Sequence, residues 1–362
     1  MLGDTNVGTS VNTYDRLSEL PLRIDGYALE ARERVASPEF TRVTTTFQLG
    51  GGGEEGFGED VTYGVDEQRA QQERGPDLPL AGDWTIDSFS KAVGALDLFP
   101  GIAPGMPAFR RYRRWAIESA ALDLALRQDG RSLADVLELE PRPVNFVVSL
   151  RIGSPPSLEP LERRLAAYPG IRFKLDATPD WDEALIERLA QTGAVDSIDL
   201  KGAYKGTVVD VETDPVLYRR VAEALPEAWL EDPDLTVPEA DAALAPHRDR
   251  ITWDAPIHSV DDIKALPFPP RTVNIKPSRV GAISDVMEAY DYCAAEGMGM
   301  YGGGQSELGV GRGQIQVLAS LFHADGPNDI APSGYDWAEF PEGLPPSPLD
   351  PALEPTGFRR RP

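Results

Sequence analysis

Cysteine, histidine and lysine are all scarce in this chain. Among 362 residues there is one cysteine, Cys293. A single thiol cannot form an intrachain disulfide, so the fold must rest on its core, and a reducing cytoplasmic setting is expected. No apolar run approaches the ~20 residues that a membrane-spanning helix requires. The opening MLGDTNVGTSVNTYDRL has neither a basic segment nor an apolar one, so no signal peptide is expected. Positive charge is short too: 35 Lys and Arg face 59 Asp and Glu, a formal net charge of −24. So acidic a surface repels phosphate backbones and anionic lipid, which sets nucleic acid and membrane surfaces aside as partners. Six of the basic residues are lysines: Lys91, Lys174, Lys201, Lys205, Lys264 and Lys276. Each lysine inside an apolar strand therefore asks for its own explanation.

What is present is ordinary globular material, with 41% hydrophobic and 26% charged residues, long enough for two domains. Residues 1–140 read as an α+β unit. RVTTTFQL (42–49) has the β-branched and aromatic character of a strand. The glycines at 50–53 then give a flexible turn into a second short strand, GFGED (56–60). RRYRRWAIESAALDLALRQDG carries apolar residues at helical spacing and stops at Gly130, a suitable C-cap. From residue 141 to 330 strand and helix alternate every ~20–30 residues, seven or eight times. Such alternation means parallel strands with crossover helices, and a closed (β/α) barrel is the economical arrangement. An open doubly wound sheet is the alternative, but SLRIGSPPS after the first strand lacks its glycine-rich phosphate loop. Residues 331–362, rich in proline, read as a tail returning to the N-terminal unit.

Reactive groups of a parallel barrel sit at the C-terminal ends of its strands. There the sequence places Lys174 (IRFKLDA), Asp199 (SIDLKG), Glu231 (WLEDP), Asp254 (ITWDAP) and Lys276 (VNIKPS), about one strand–helix unit apart. Three carboxylates converging in a barrel mouth repel one another unless a cation sits among them. A hard divalent ion with oxygen ligands meets that need; Mg²⁺ is expected, with Mn²⁺ a substitute. A lysine crowded by that cation and partly desolvated is expected to have a depressed pKa and to act as a base. Metal plus base suggests abstraction of a proton α to a carboxylate, on a small-molecule carboxylate substrate. As a bland reading, both lysines form structural ion pairs with the same acids.

These residues resemble the enolase superfamily in its muconate-lactonizing-like subgroup. RFK (172–174) resembles the second-strand Lys-x-Lys, with Arg172 in the first position. Asp199, Glu231 and Asp254 match the three metal ligands, and NIKPSRVGAISD matches the sixth-strand lysine motif. YGGGQSELGVGRG resembles the seventh-strand segment and brings Ser306 and Glu307 near the site; GFGED resembles the capping-domain turn. The chain departs from the family at Lys201, which stands where an Asn is common, and at Ala255, where a Glu is common. The resemblance implies an enolase-type modified barrel with a capping domain, catalytic Lys174 and Lys276, and Arg172, Lys201, Ser306 and Glu307 as substrate-contacting or supporting residues. Lys201 and Lys205 read as surface or substrate-contacting rather than metal-related. KPSRVG and the later GRG are most similar to o-succinylbenzoate synthases and N-acylamino acid racemases. Dipeptide epimerase and muconate cycloisomerase activities stay open, as do a non-catalytic barrel and a homo-oligomer.

Overall fold

The computed structural model describes residues 12–37, 40–207 and 209–361. Residues 1–11, on which the expectation about a signal peptide rests, lie outside the described residues. The N-terminal part is built on an antiparallel meander of β2 (Gly26–Ser37), β3 (Phe40–Gly51) and β4 (Glu54–Asp60), preceded by β1 (Pro21–Ile24), which pairs with β5 (Gly82–Thr85). The β3–β4 turn needs left-handed backbone at Gly52 (φ +62°) and Gly53 (φ +86°), which glycine supplies without a Cβ clash. The glycines at 50–53 are hairpin slack, as the sequence suggests.

The helix Ala108–Asp129 lies across β4 and ends at Gly130 in the left-handed C-cap conformation. Its contact with β4 explains the glycines of GFGED. A Cβ on Gly56 would stand 2.2 Å from the carbonyl oxygen of Ala120, and one on Gly58 2.0 Å from that of Ala116. Strand and helix backbones can approach this closely only where the side chain is absent.

Seven short parallel strands follow: β6 (Val147–Leu150), β7 (Arg172–Asp176), β8 (Val195–Asp199), β9 (Trp229–Glu231), β10 (Ile251–Thr252), β11 (Thr272–Ile275) and β12 (Gly299–Gly302). β6 to β10 pair in sequence order and β11 pairs with β12. Asn274 N–H donates to Trp253 C=O at 3.0 Å and joins β10 to β11. Residues 328–329 take the eighth place, bridging β12 through Gly303–Asp329 and β6 through Phe146–Asn328. The ring closes, so the barrel holds and the open-sheet alternative does not. Asn328 is the closing pin: its buried amide accepts from Gly302 N–H and donates to the carbonyls of Asn145, His323 and Gly326.

The C-terminal residues run back to the first part of the chain. Leu349 bridges Val144, Gly357 bridges Ser132, and Phe358 packs edge-on against Trp115. Buried Asp123 ties three segments together, accepting from Phe57 and Phe358 N–H and pairing with Arg359 at 2.7 Å. Among the described residues no helix is long and apolar enough to cross a membrane.

Candidate active site

The residues at the strand ends converge. Period-two alternation turns Lys174 of β7, Asp199 of β8 and Glu231 of β9 toward the barrel interior, where each is nearly or fully buried. Lys174 Nζ donates to Glu231 Oε1 and lies 3.2 Å from Asp199 Oδ2 and 3.8 Å from Asp329 Oδ2. Tyr301 of β12 donates to the other Glu231 oxygen at 2.7 Å. Lys276 engages a different acid: its Nζ donates to Asp254 Oδ2 at 2.7 Å, and Arg279 reaches Asp254 Oδ1 at 2.6 Å. Tyr204 adds a third donor to Asp254, at 3.2 Å.

Oxygens of Asp199, Glu231 and Asp232 come within 4.8 Å of one another, all buried. Asp232, with φ +51°, accepts from Asp254 N–H at 2.8 Å and Ala255 N–H at 2.9 Å, which fixes the end of β10. The cations are not shared evenly among these acids. Burial, and behind it the charge of Asp199, pushes Glu231 up to about 8 despite Lys174; burial and the charge of Asp254 push Asp232 up to about 7. Asp254 is held well below the usual carboxylate range: burial works against this but is outweighed by Arg279 and then Lys276. Asp232 has no cation within ion-pairing distance among the described residues, and its buried hard oxygens beside those of Asp199 and Glu231 suit a divalent cation.

Several residues differ in place from their sequence reading. Arg172 begins β7, at the opposite end of the barrel from the site, where it binds Asp196 Oδ1 at 2.8 Å; its two-residue offset from Lys174 is half the length of so short a strand. Lys201 is neither on the surface nor separate from the acids. Its Nζ lies 2.5 Å from Asp199 Oδ2 and 3.2 Å from Asp176 Oδ1. Lys174 does not have a depressed pKa in this arrangement. Burial alone would lower it, but Glu231 and then Asp199 hold it well above the ordinary lysine value. Glu307 meets no lysine; it accepts from Gln305 N–H at 2.6 Å and pairs with Arg312 at 3.0 Å.

The meander fixes the rim of the site. Buried Arg42 donates to the carbonyls of Gln305 at 2.9 Å and Ser306 at 3.2 Å, so Ser306 contributes through its backbone. Glu59 accepts from Leu308, Gly309 and Gly311 N–H at the start of the helix Val310–Phe322, where a carboxylate is favoured. The loop carrying Ser306 and Glu307 is thus clamped from the N-terminal part of the chain.

The chain matches the family described as domain of unknown function (DUF8230), with the C-terminal domain over residues 140–337 and the N-terminal domain over 15–136. It belongs to the DUF8230 family. This DUF8230 chain is 30% identical over 234 residues to an o-succinylbenzoate synthase of Geobacillus stearothermophilus, covering 61% of the chain and 59% of that relative. It is 31% identical over 250 residues to an N-succinylamino acid racemase of Amycolatopsis sp, covering 64% of each. The chain thus spans less than two thirds of the length of these curated relatives. Among solved structures it is similar to a member of the enolase superfamily from Listeria innocua (TM-score 0.61, 20% identity, 86% of each chain). It is likewise similar to a dipeptide epimerase from Methylococcus capsulatus complexed with Mg ion (TM-score 0.63, 20% identity, 86% of this chain and 92% of that one). The fold of the DUF8230 chain is that of the enolase superfamily.

Asp232, Tyr204 and Tyr301 take places in the site that the sequence pattern does not assign them. Adjacency to Glu231 was the available sign for Asp232. The tyrosines gave none, since aromatic residues in and after strands usually pack in cores.

Proposed function

We propose that this protein is an enzyme that abstracts a proton α to a carboxylate, with a divalent cation, most simply Mg²⁺, held by Asp199, Glu231 and Asp254. The single observation that carries the reading is the pair of buried ammonium groups, Lys174 and Lys276, each engaging a different one of the buried strand-end carboxylates. When bound, the cation would grip the substrate carboxylate and stabilise the charge of the enediolate. Lys174 and Lys276 would then face the α-carbon from two sides, one positioned to take its proton, the other to return one or to stabilise the enediolate. Lys174 must first give up its carboxylate partners, because an ammonium held at high pKa cannot act as a base. Tyr301 and Lys174 orient Glu231; Arg279 and Tyr204 keep Asp254 ionised and in place. Burial of the cluster keeps bulk water from quenching the carbanion.

Similarity to an o-succinylbenzoate synthase and an N-succinylamino acid racemase supports a lyase or an N-acylamino acid racemase as the finer reading. Asp329 beside Lys174 favours a second one, a dipeptide-type substrate whose ammonium would meet that carboxylate. The test is exchange of substrate α-protons in D₂O with Mg²⁺, screened by NMR across N-acyl amino acids, dipeptides and succinylbenzoate precursors. Lysine-dependent exchange on one class is expected. A metal-loaded protein that exchanges none of them would sink the proposal in favour of a non-catalytic barrel.

A further inference from the structure

Lys201 stands two residues past Asp199 with φ +54°, and this left-handed turn folds it back over the strand end. Its backbone N–H donates to Asp199 Oδ1 at 3.0 Å while its Nζ meets Oδ2 at 2.5 Å. The same Oδ2 already has Lys174 at 3.2 Å, so Asp199 carries two ammonium groups. A second carboxylate waits within reach of Lys201. Asp176, at the end of the neighbouring strand, places Oδ1 3.2 Å from Nζ, and its Oδ2 is held at 2.9 Å by Arg151, whose side chain is mostly in solvent. The ring of Tyr204 also faces the ammonium, with its centroid 5.2 Å from Nζ.

We propose that Lys201 is a built-in counter-ion that competes with the divalent cation for Asp199, and that Asp176 is the seat it moves to when the cation binds. The inference rests on Asp199 being a metal ligand. An ammonium in contact with a ligand oxygen stands within a few ångströms of any ion on that oxygen, where like charges in a partly buried site repel strongly. Lys201 therefore sets the metal affinity of the site low, and Asp176 limits the loss by receiving the displaced charge.

The experiment is titration of purified protein with Mg²⁺ and Mn²⁺, read by calorimetry and by metal-dependent shifts in Tm, with no activity needed. Lys201→Met, which keeps length and removes charge, should bind at least about tenfold more tightly than the wild type. Lys201→Arg, which keeps the charge, should stay weak; tight binding by Lys201→Arg would assign the effect to shape and overturn the proposal. Asp176→Asn should weaken binding about fivefold with Lys201 present and leave it nearly unchanged in the Lys201→Met background. Equal affinity of wild type and Lys201→Met overturns the competition, and an equal Asp176→Asn effect in both backgrounds overturns the seat. If no variant binds either metal, the metal-site reading fails as well, an outcome distinct from wild type and Lys201→Met binding alike.

Discussion

Lys276 and Asp254 end adjacent strands of the barrel with Nζ 2.7 Å from Oδ2, and Arg279 closes on the other oxygen of the same carboxylate. Lys174, by contrast, is the only cation within ion-pairing distance of Glu231 among the described residues. The two lysines are alike in sequence context yet unequal in what their removal leaves behind.

Lys276→Met should therefore fold well, because Arg279 and Tyr204 still hold Asp254. Lys174→Met should lower Tm further, because it leaves Glu231 buried with a tyrosine hydroxyl but no cation. Both should lose turnover by about a thousandfold or more, in the range a lost general base commands. If the enzyme is a racemase, each variant keeps α-proton exchange of one enantiomer and loses the other. Undiminished turnover of the natural substrate by Lys276→Met would end the enolase-type reading.

Asp232 and Asp254 should separate as orienting group and ligand. Asp254→Asn is expected to abolish measurable Mg²⁺ binding, whereas Asp232→Asn, which keeps one acceptor for the backbone N–H groups, should change it less than about threefold. Calorimetric titration of both variants decides the matter, and the reverse ranking would move the third ligand to Asp232.

His323 sets an acid limit on the barrel. Its imidazole is fully buried, with Nδ1 2.7 Å from Asn328 Oδ1, and burial drives its pKa down to about 4 from an ordinary 6.5. A group whose folded pKa is depressed contributes stability above its unfolded pKa and loses it as pH falls. The loss should begin below about pH 6.5 and grow to about 3 kcal/mol near pH 4. Denaturant melts at stepped pH should show this slope, and His323→Gln should flatten it. A variant with the wild-type slope would assign the acid sensitivity elsewhere.

Gly58→Ala should destabilise the N-terminal unit by about 1–3 kcal/mol, because the added methyl meets the carbonyl of Ala116. The two backbones cannot part without opening the Glu59 contacts to the loop at 308–311. Chemical denaturation measures it, and a neutral result would mean that strand and helix are not held this close.

The sequence alone determined the order of elements, because hydrophobic period and strand length are local properties. It also placed Lys174, Asp199, Glu231, Asp254 and Lys276 at successive strand ends, since in a parallel barrel the end of each strand points to one face. It could not say that Arg172 falls at the other end, because that depends on where a five-residue strand begins. Nor could it assign partners. That Lys201 turns back onto Asp199 depends on a local left-handed turn that residue type does not announce. That Arg279 rather than a loop residue backs Asp254, and that Asn328 closes the ring, are decided by groups far apart in the chain. Only the closed barrel brings them within hydrogen-bonding distance. The pKa values follow the same division: residue type sets where a lysine starts, while burial and neighbouring charge, which exist only after folding, decide where Lys174 ends.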